Sequence, residues 1–244
     1  MATMDSITVS IIIPAYNESQ RLPETLSTLN EYLSGTDFES EVLVVDDGST
    51  DGTSEVVAAP ARAVRNPTNH GKGYAVRQGM LEATGGIRIF MDADLSVPPD
   101  EIGRLLEHFE AGHDIVIGSR NVHGAEVDSS SRPYRRTMGH IFNRFVRMFA
   151  VGDISDTQCG FKGFKREVAE NLFSRQKLDG FAFDVEILYL ASRLGYRTFE
   201  MPIKWVDSDT TKIRPMVDSL IMLKDLMRIR RLHRGEDWSR PGGD

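Results

Sequence analysis

Apolar positions along the chain follow two spacings. Residues 9–13, 42–45, 87–91 and 114–118 form short, nearly continuous apolar runs rich in Val and Ile, the pattern of strands buried on both faces. Between and after them the spacing turns helical. Leu22, Leu26, Leu29 and Leu33 share one helix face over 22–33, and further helices are predicted from 54–59, 73–83, 100–110, from Asp184 onward and over 216–232. A last strand is predicted over 198–205. Strands alternating with helices predict an α/β domain with a mostly parallel sheet flanked by helices, a Rossmann-like arrangement. Ligands of such sheets bind beyond the carboxyl ends of the strands.

Polar clusters sit at those ends. Residues 14–18, 46–49 and 92–96 each follow a predicted strand, so three loops separated in sequence should converge on one crevice. In the run Asp92-Ala93-Asp94 the two carboxylates lie at i and i+2, which point the same way along a strand. Hard oxygen ligands of this kind suit Mg²⁺ or Mn²⁺, usually together with substrate phosphates. Turn chemistry or a helix cap is the competing explanation for any one cluster. Asn69-His70-Gly71-Lys72-Gly73 opens a helix, where bare N–H groups, glycines and one Lys suit a diphosphate. The spacing is not that of a P-loop.

Composition narrows the class. A length of 244 residues and a hydrophobic fraction of 40% allow one large domain with a substantial core. The net charge of −7 argues against nonspecific nucleic-acid binding, although Arg228, Arg230, Arg231, His233 and Arg234 cluster late in the chain. Cys159 is the sole cysteine, which excludes an intrachain disulfide and fits the cytoplasm. It reads as a small buried hydrophobe more readily than as a nucleophile. No window has a secretory-signal pattern, and none reaches the roughly 20 apolar residues of a membrane span, so attachment to a membrane is expected to be peripheral if it occurs.

Pro14-Ala15-Tyr16-Asn17-Glu18, the run from Val45 through Asp46-Asp47-Gly48-Ser49 to Thr53, Asn69 to Gly73, and Asp92-Ala93-Asp94 together resemble the successive motifs of family 2 glycosyltransferases. That family has the GT-A fold. Within it, Asp156-Thr157-Gln158-Cys159-Gly160-Phe161-Lys162 and the stretch from Ala182 through Asp184 and Glu186 to Tyr189 are similar to segments of dolichyl-phosphate glucosyltransferases and related polyprenyl-phosphate sugar synthases. Ser208-Asp209-Thr210-Thr211-Lys212 departs from the Gly-Ser-Lys form expected there, and Ser96 stands where some relatives have Gln.

The resemblance implies a set of roles. Pro14, Tyr16 and Glu18 would line the nucleoside pocket, Asp46 and Asp47 would accept hydrogen bonds from base or ribose, and Lys72 and Gly73 would lie at the diphosphate. Asp92 would help hold the nucleotide, Asp94 would be the main ligand of Mg²⁺ or Mn²⁺, and Ser96 would be a weak or water-mediated third contact. Arg120, Lys212 and Arg214 would hold an acceptor phosphate, the latter two having surface charge as the alternative. Asp156 would act as a base or only orient the acceptor, with a turn carboxylate as the structural alternative. Asp184 and Glu186 would cap their helix or order nearby basic residues.

Two segments bear on membranes. Over 132–150, Met138, Ile141, Phe142, Phe145, Met148 and Phe149 fall on one helical face and Arg136, His140, Arg144 and Arg147 on the other, the pattern of an interfacial helix or of one packed on the core. The helix over 216–232 has two apolar stripes, one for the protein and one for lipid or a second subunit, and a basic stripe at Lys224, Arg228 and Arg231 suited to anionic headgroups. Residues 1–214 are thus expected to form the catalytic domain, 215–234 an amphipathic helix and 235–244 a disordered tail. The leading expectation is an inverting, metal-dependent transfer of a hexose, glucose from UDP-glucose foremost, to a polyprenyl phosphate at the cytoplasmic membrane face. A soluble acceptor, or a noncatalytic nucleotide-sugar-binding or scaffold protein, are the alternatives.

Overall fold

The computed structural model describes residues 9–128, 154–206 and 215–240, with side chains of the last segment described from residue 224. In chain order the elements are β1 (Val9–Ala15), α1 (Leu22–Ser34), β2 (Ser40–Asp46), β3 (Arg62–Arg65), α2 (Lys72–Glu82), β4 (Ile87–Met91), α3 (Glu101–Glu110), β5 (Ile115–Ser119) and β6 (Glu126–Asp128). They continue with β7 (Phe161–Lys165), α4 (Arg166–Arg175), α5 (Phe183–Arg193), β8 (Thr198–Pro202), β9 (Lys204–Val206) and α6 (Pro215–Leu232). The expected helix over 132–150 lies outside the described residues.

The main sheet has seven strands in the order β3-β2-β1-β4-β7-β5-β8. All neighbours pair in parallel except β7, which runs antiparallel to both β4 and β5. Alternation along each strand divides the core in two. Ile12, Val45 and Phe90 face one cluster with α2, α4 and α5, whereas Ile11, Ile13, Val44, Ile89 and Met91 face the other with α1 and α3. Layers on both faces explain why β1, β2 and β4 read as unbroken apolar runs. The carboxyl ends of β1, β2, β4 and β5 therefore share an edge, and the reversed β7 begins there.

Several boundaries differ from expectation, each for a local reason. The helix predicted from 54–59 is a single 3₁₀ turn, Ser54–Val56, because Pro60 disfavours helical backbone just before it. β3 escapes the apolar pattern because it is an exposed edge strand. The strand predicted over 198–205 is two: after Pro202 the chain leaves the main sheet, and β9 pairs in parallel with β6 in a separate two-stranded sheet. β7 and α4 lie where no periodic apolar run marks an element: 156–162 reads as motif chemistry, and the strand spans only Phe161–Lys165.

The end of the chain also differs. Leu226, Ile229 and His233 are buried against the core, while Lys224, Met227, Arg230, Arg231 and Arg234 are exposed. Residues 235–240, expected without order, lie against α5 instead. Trp238 meets Tyr189 edge-on at 6.1 Å and lies under the Arg193 guanidinium, and Arg240 covers the Tyr196 ring and donates to the Leu194 carbonyl at 2.7 Å. Cation–π and ring contacts hold a segment whose composition alone reads as coil.

Helix α2 approaches β1 and β2 at Gly79, where a Cβ would overlap the Ile12 side chain and come within 2.9 Å of Val45 Cγ2. Gly79→Ala is expected to destabilise the fold by about 1–3 kcal/mol, outweighing a helix-propensity gain of at most about 1 kcal/mol. The midpoint of urea unfolding reads this directly; an unchanged or raised midpoint would contradict so close a contact.

Candidate active site

The first two loops are tied together by their own polar groups. The Asn17 N–H donates to Ser49 Oγ at 2.8 Å, the Glu18 N–H to Thr53 Oγ1 at 2.9 Å, and the Thr50 N–H to Asn17 Oδ1 at 3.0 Å. Asp46 is fully buried; it accepts from the Ser49 N–H at 2.9 Å and from the Ser54 hydroxyl. Asp47 accepts from Asn66 Nδ2 at 3.0 Å and from the backbone N–H groups of His70 and Gly71, the latter at 2.7 Å. Both carboxylates, expected to face a nucleoside, thus bind protein groups that shape the loops. Tyr16 presents its ring to solvent at 41% exposure beside them, with Pro14 and Glu18 half-buried.

Asp47 thereby positions the start of α2, and α2 positions Lys72. The Lys72 ammonium meets Asp92 Oδ1 at 2.6 Å, at the carboxyl end of β4. Burial works against its charge, but Asp92, Asp184 and Asp94 outweigh that and hold its pKa above the usual lysine value. Asp94 Oδ1 accepts the Ser96 N–H at 3.0 Å in the turn that follows. Asp92, Asp94 and Ser96 thus offer hard oxygen donors on one loop. Among the described residues no group of three or more His, Cys, Asp or Glu encloses a metal site. A Mg²⁺ or Mn²⁺ ion held by one or two carboxylates and completed by phosphates and water needs no such group, so the donors fit it. Of these donors, Asp92 is engaged by Lys72.

The third side of the crevice comes from β5, β7 and the turn before β7. Asp156, fully buried, receives Arg120 Nε at 2.7 Å, Arg120 Nη2 at 3.0 Å and the Arg120 N–H at 3.0 Å. Burial raises the Asp156 pKa and the Arg120 guanidinium lowers it; the guanidinium wins, so the group stays a carboxylate. Glu200 on β8 fixes this turn by accepting from the N–H groups of Ser155 and Asp156 at 2.8 and 2.9 Å. Trp205 on β9 lies against Arg120, with the guanidinium carbon 5.5 Å from the ring centroid. Burial pushes the Cys159 thiol up to about 12, so it packs as an apolar group and is no nucleophile.

Beneath these groups lies an ion pair that sequence reasoning missed. Lys162 and Asp184 are both buried and meet at 2.5 Å; Lys162 also donates to the Cys159 carbonyl at 2.6 Å. Burial raises the Asp184 pKa against the pull of Lys162 and Lys72. Asp184, in the first turn of α5, thus orders a basic residue, Lys162. The signal for Lys162 was its place in an apolar strand, where a Lys must find an anion. Lys212 and Arg214 lie outside the described residues.

Gly160 joins the two halves. Its carbonyl accepts the Asp92 N–H at 3.1 Å, and a Cβ built on it would overlap Asp92 Oδ2 and reach Oδ1 at 2.9 Å. Gly160→Ala is expected to push the Asp92 carboxylate off Lys72 and to lower activity by about 10²-fold with the far-UV circular dichroism unchanged. Activity within a factor of about two of wild type would mean that the Asp92 position is not critical.

The family description for glycosyl transferase family 2 matches residues 10–173. A dolichyl-phosphate beta-glucosyltransferase of Drosophila melanogaster is 38% identical, over 92% of this chain and 74% of that protein. The enzyme of the same name in Dictyostelium discoideum is 35% identical, over 93% of this chain and 75% of its own length. Among solved structures, glucosyl-3-phosphoglycerate synthase from Mycobacterium tuberculosis in complex with Mn²⁺, uridine-diphosphate-glucose and phosphoglyceric acid has a TM-score of 0.71 at 18% identity, over 91% of this chain and 79% of that one. The last likeness shows the fold, the GT-A arrangement of a mostly parallel sheet between helices. With the motif loops gathered on one sheet edge and relatives matching along nearly the whole chain, this protein belongs to glycosyl transferase family 2 and is a glycosyltransferase.

Proposed function

We propose that this enzyme transfers glucose from UDP-glucose to a dolichyl or related polyprenyl phosphate, with inversion, using Mg²⁺ or Mn²⁺, at the cytoplasmic face of a membrane. The observation that carries the reading is a pair of anchored cations on one crevice. Lys72 is held by Asp92 and Arg120 by Asp156, and Asp92 acts electrostatically on Arg120 as well as on Lys72. One cation suits the diphosphate of a donor and the other the phosphate of an acceptor. The names of the Drosophila and Dictyostelium relatives support glucose and dolichyl phosphate, and the ligands of the M. tuberculosis neighbour support the donor and the metal.

In this reading the Tyr16 ring, with Pro14 and Glu18, receives the nucleoside, and Asp46 and Asp47 act by holding the loops around it. Lys72 and the N–H groups at the start of α2, Gly73 included, lie at the diphosphate. Asp94, with Asp92 and Ser96, would hold the divalent metal, whose chemistry there would be to neutralise charge on that diphosphate. Arg120 holds the acceptor phosphate, and its bidentate bond to Asp156 fixes the guanidinium plane. An acceptor oxygen forms the new bond to the anomeric carbon from the face opposite the diphosphate, and the broken bond's electron pair leaves with UDP. No base is needed, because a phosphate monoester has its second pKa near about 6 and is already anionic. A carboxylate with a depressed pKa and its oxygens filled by Arg120 is a poor base in any case, so we assign Asp156 the orienting role.

For membrane contact the exposed cations of α6 are the described candidates, since no described helix is long and apolar enough to cross a membrane. Lys224, Arg230, Arg231 and Arg234 share its solvent side with Met227. The segment 132–150 and the pair Lys212 and Arg214 are part of the same proposal on sequence grounds.

Incubation with Mg²⁺, a short polyprenyl phosphate and a panel of UDP- and GDP-sugars, followed by mass analysis, should yield a polyprenyl-phosphate hexose from UDP-glucose. Transfer only to soluble acceptors would overturn the acceptor assignment. In the same assay Asp94→Asn should reduce turnover by about 10²-fold or more, and undiminished turnover would remove the metal role. In flotation, the protein should rise with vesicles containing anionic lipid and be released by added salt. Sedimentation away from anionic vesicles, with and without polyprenyl phosphate, would refute the surface contact.

A further inference from the structure

The buried pair Glu186–His233 touches none of the groups assigned to substrate, yet its hydrogen bonds lead to them. Glu186 on α5 is fully buried. It accepts from the Lys177 N–H at 3.0 Å and the Leu178 N–H at 2.9 Å, and meets His233 Nε2 at 2.6 Å. The other ring nitrogen of His233, Nδ1, meets Glu236 at 2.9 Å. A carboxylate inside the protein thus clamps the loop 176–180 to the end of α6.

That loop in turn packs on the start of α2 with no room to spare. The Tyr74 N–H donates to the Asp179 carbonyl at 3.1 Å, and Gln176 Nε2 donates to the Gly73 carbonyl at 2.9 Å. Arg77 bonds the Gln176 carbonyl at 3.1 Å and pairs with Asp179 at 3.2 Å. A Cβ on Gly71 would lie 2.6 Å from the Asp179 oxygen, and one on Gly73 would lie 2.8 Å from the Leu178 oxygen. Lys72 stands between these two glycines. Backbone packed this closely moves as one piece, so a shift of the loop displaces Lys72 from Asp92.

We propose that Glu186 and His233 are positioning residues for glycosyl transfer: through the loop 176–180 they set the place of Lys72, and so make the phosphate cradle depend on the docking of the C-terminal helix. The assignment of the cradle to the donor diphosphate rests on the function proposed above; the mechanical link does not. The groups around His233 are Glu186 and Tyr189 from α5 and Glu236 from the turn beyond α6, the last also paired with Lys177 and with Arg175 of α4. Burial favours neutral His233, but the bonds to Glu186 and Glu236 outweigh it, and its pKa lies above the ordinary value. A raised folded pKa gives a contribution that is complete at pH below the unfolded value and is lost as pH rises through the folded one.

Hydrogen exchange on the full chain without substrate tests this, which separates its failure from failure of the proposed reaction. After correction for intrinsic rates, protection of the amides at 71–74 and 177–178 should fall together as pH rises through the His233 transition, while amides of β1 and β4 keep theirs. His233→Ala should lower protection at 71–74 by about 10-fold or more at acidic pH, and His233→Gln, which keeps a donor but does not titrate, should restore part of it and abolish the pH step. In transfer assays His233→Ala should raise the KM for the nucleotide sugar more than it lowers kcat. Loss of protection confined to α6 and 235–240, with 71–74 unchanged across pH in the wild type, would overturn the proposal.

Discussion

Charge burial is the constraint around which the crevice is built. Lys162 and Asp184 are shut in below it, and an unpaired charge there would cost several kcal/mol, so each requires the other in place. Above them Lys72 with Asp92 and Arg120 with Asp156 repeat the arrangement nearer to solvent. Three cations and three carboxylates, from α2, the residues just beyond β4 and β5, the turn before β7, β7 and α5, thereby hold one another. In the proposed reaction, where the crevice takes two phosphate groups, these carboxylates would stabilise its positive charge until phosphate oxygens share it.

The reversed strand β7 makes this clustering possible. A wholly parallel sheet would bring every strand to the crevice by its carboxyl end, whereas β7 leaves from the crevice and carries Lys162 into the core beside β4. Its entry turn is pressed against Asp92, and only a residue without Cβ fits at Gly160. The same turn is fixed on its far side by Glu200, so the Asp92–Lys72 pair and the Arg120–Asp156 pair share one rigid segment. Preorganisation of this kind keeps charged groups aimed where charge develops, and it costs no rearrangement during the reaction.

How much was legible in the sequence differs by residue. β4 matches its apolar run residue for residue, whereas β1 and β2 run beyond theirs, over Pro14, Ala15, Ser40, Glu41 and Asp46, where the apolar pattern breaks but the pairing continues. Spacing and loop position single out Asp92 and Lys72 as candidate site residues, and the structure pairs them at 2.6 Å. Asp46 and Asp47 were found as well, but their oxygens turned out to hold loop backbone, since a carboxylate near open N–H groups satisfies them first. Arg120 and Asp156 were each identified and given separate tasks; their pairing was invisible because 36 positions separate them. Glu200 and Trp205 carried no motif, and only packing made them neighbours of the site; His233, also without a motif, is linked to it only through the loop 176–180.

The sequence by itself determined the alternation of strands and helices and the motif loops at strand ends, because periodicity and local spacing act over a few residues; the transferase family came from the likeness of those motifs to known ones and from relatives matching along most of the chain. Tertiary structure alone decided which charges pair, which way β7 runs and what the end of the chain touches. Those depend on contacts between distant segments, where the need to neutralise each buried charge and to fill each gap selects one partner among many chemically equivalent ones.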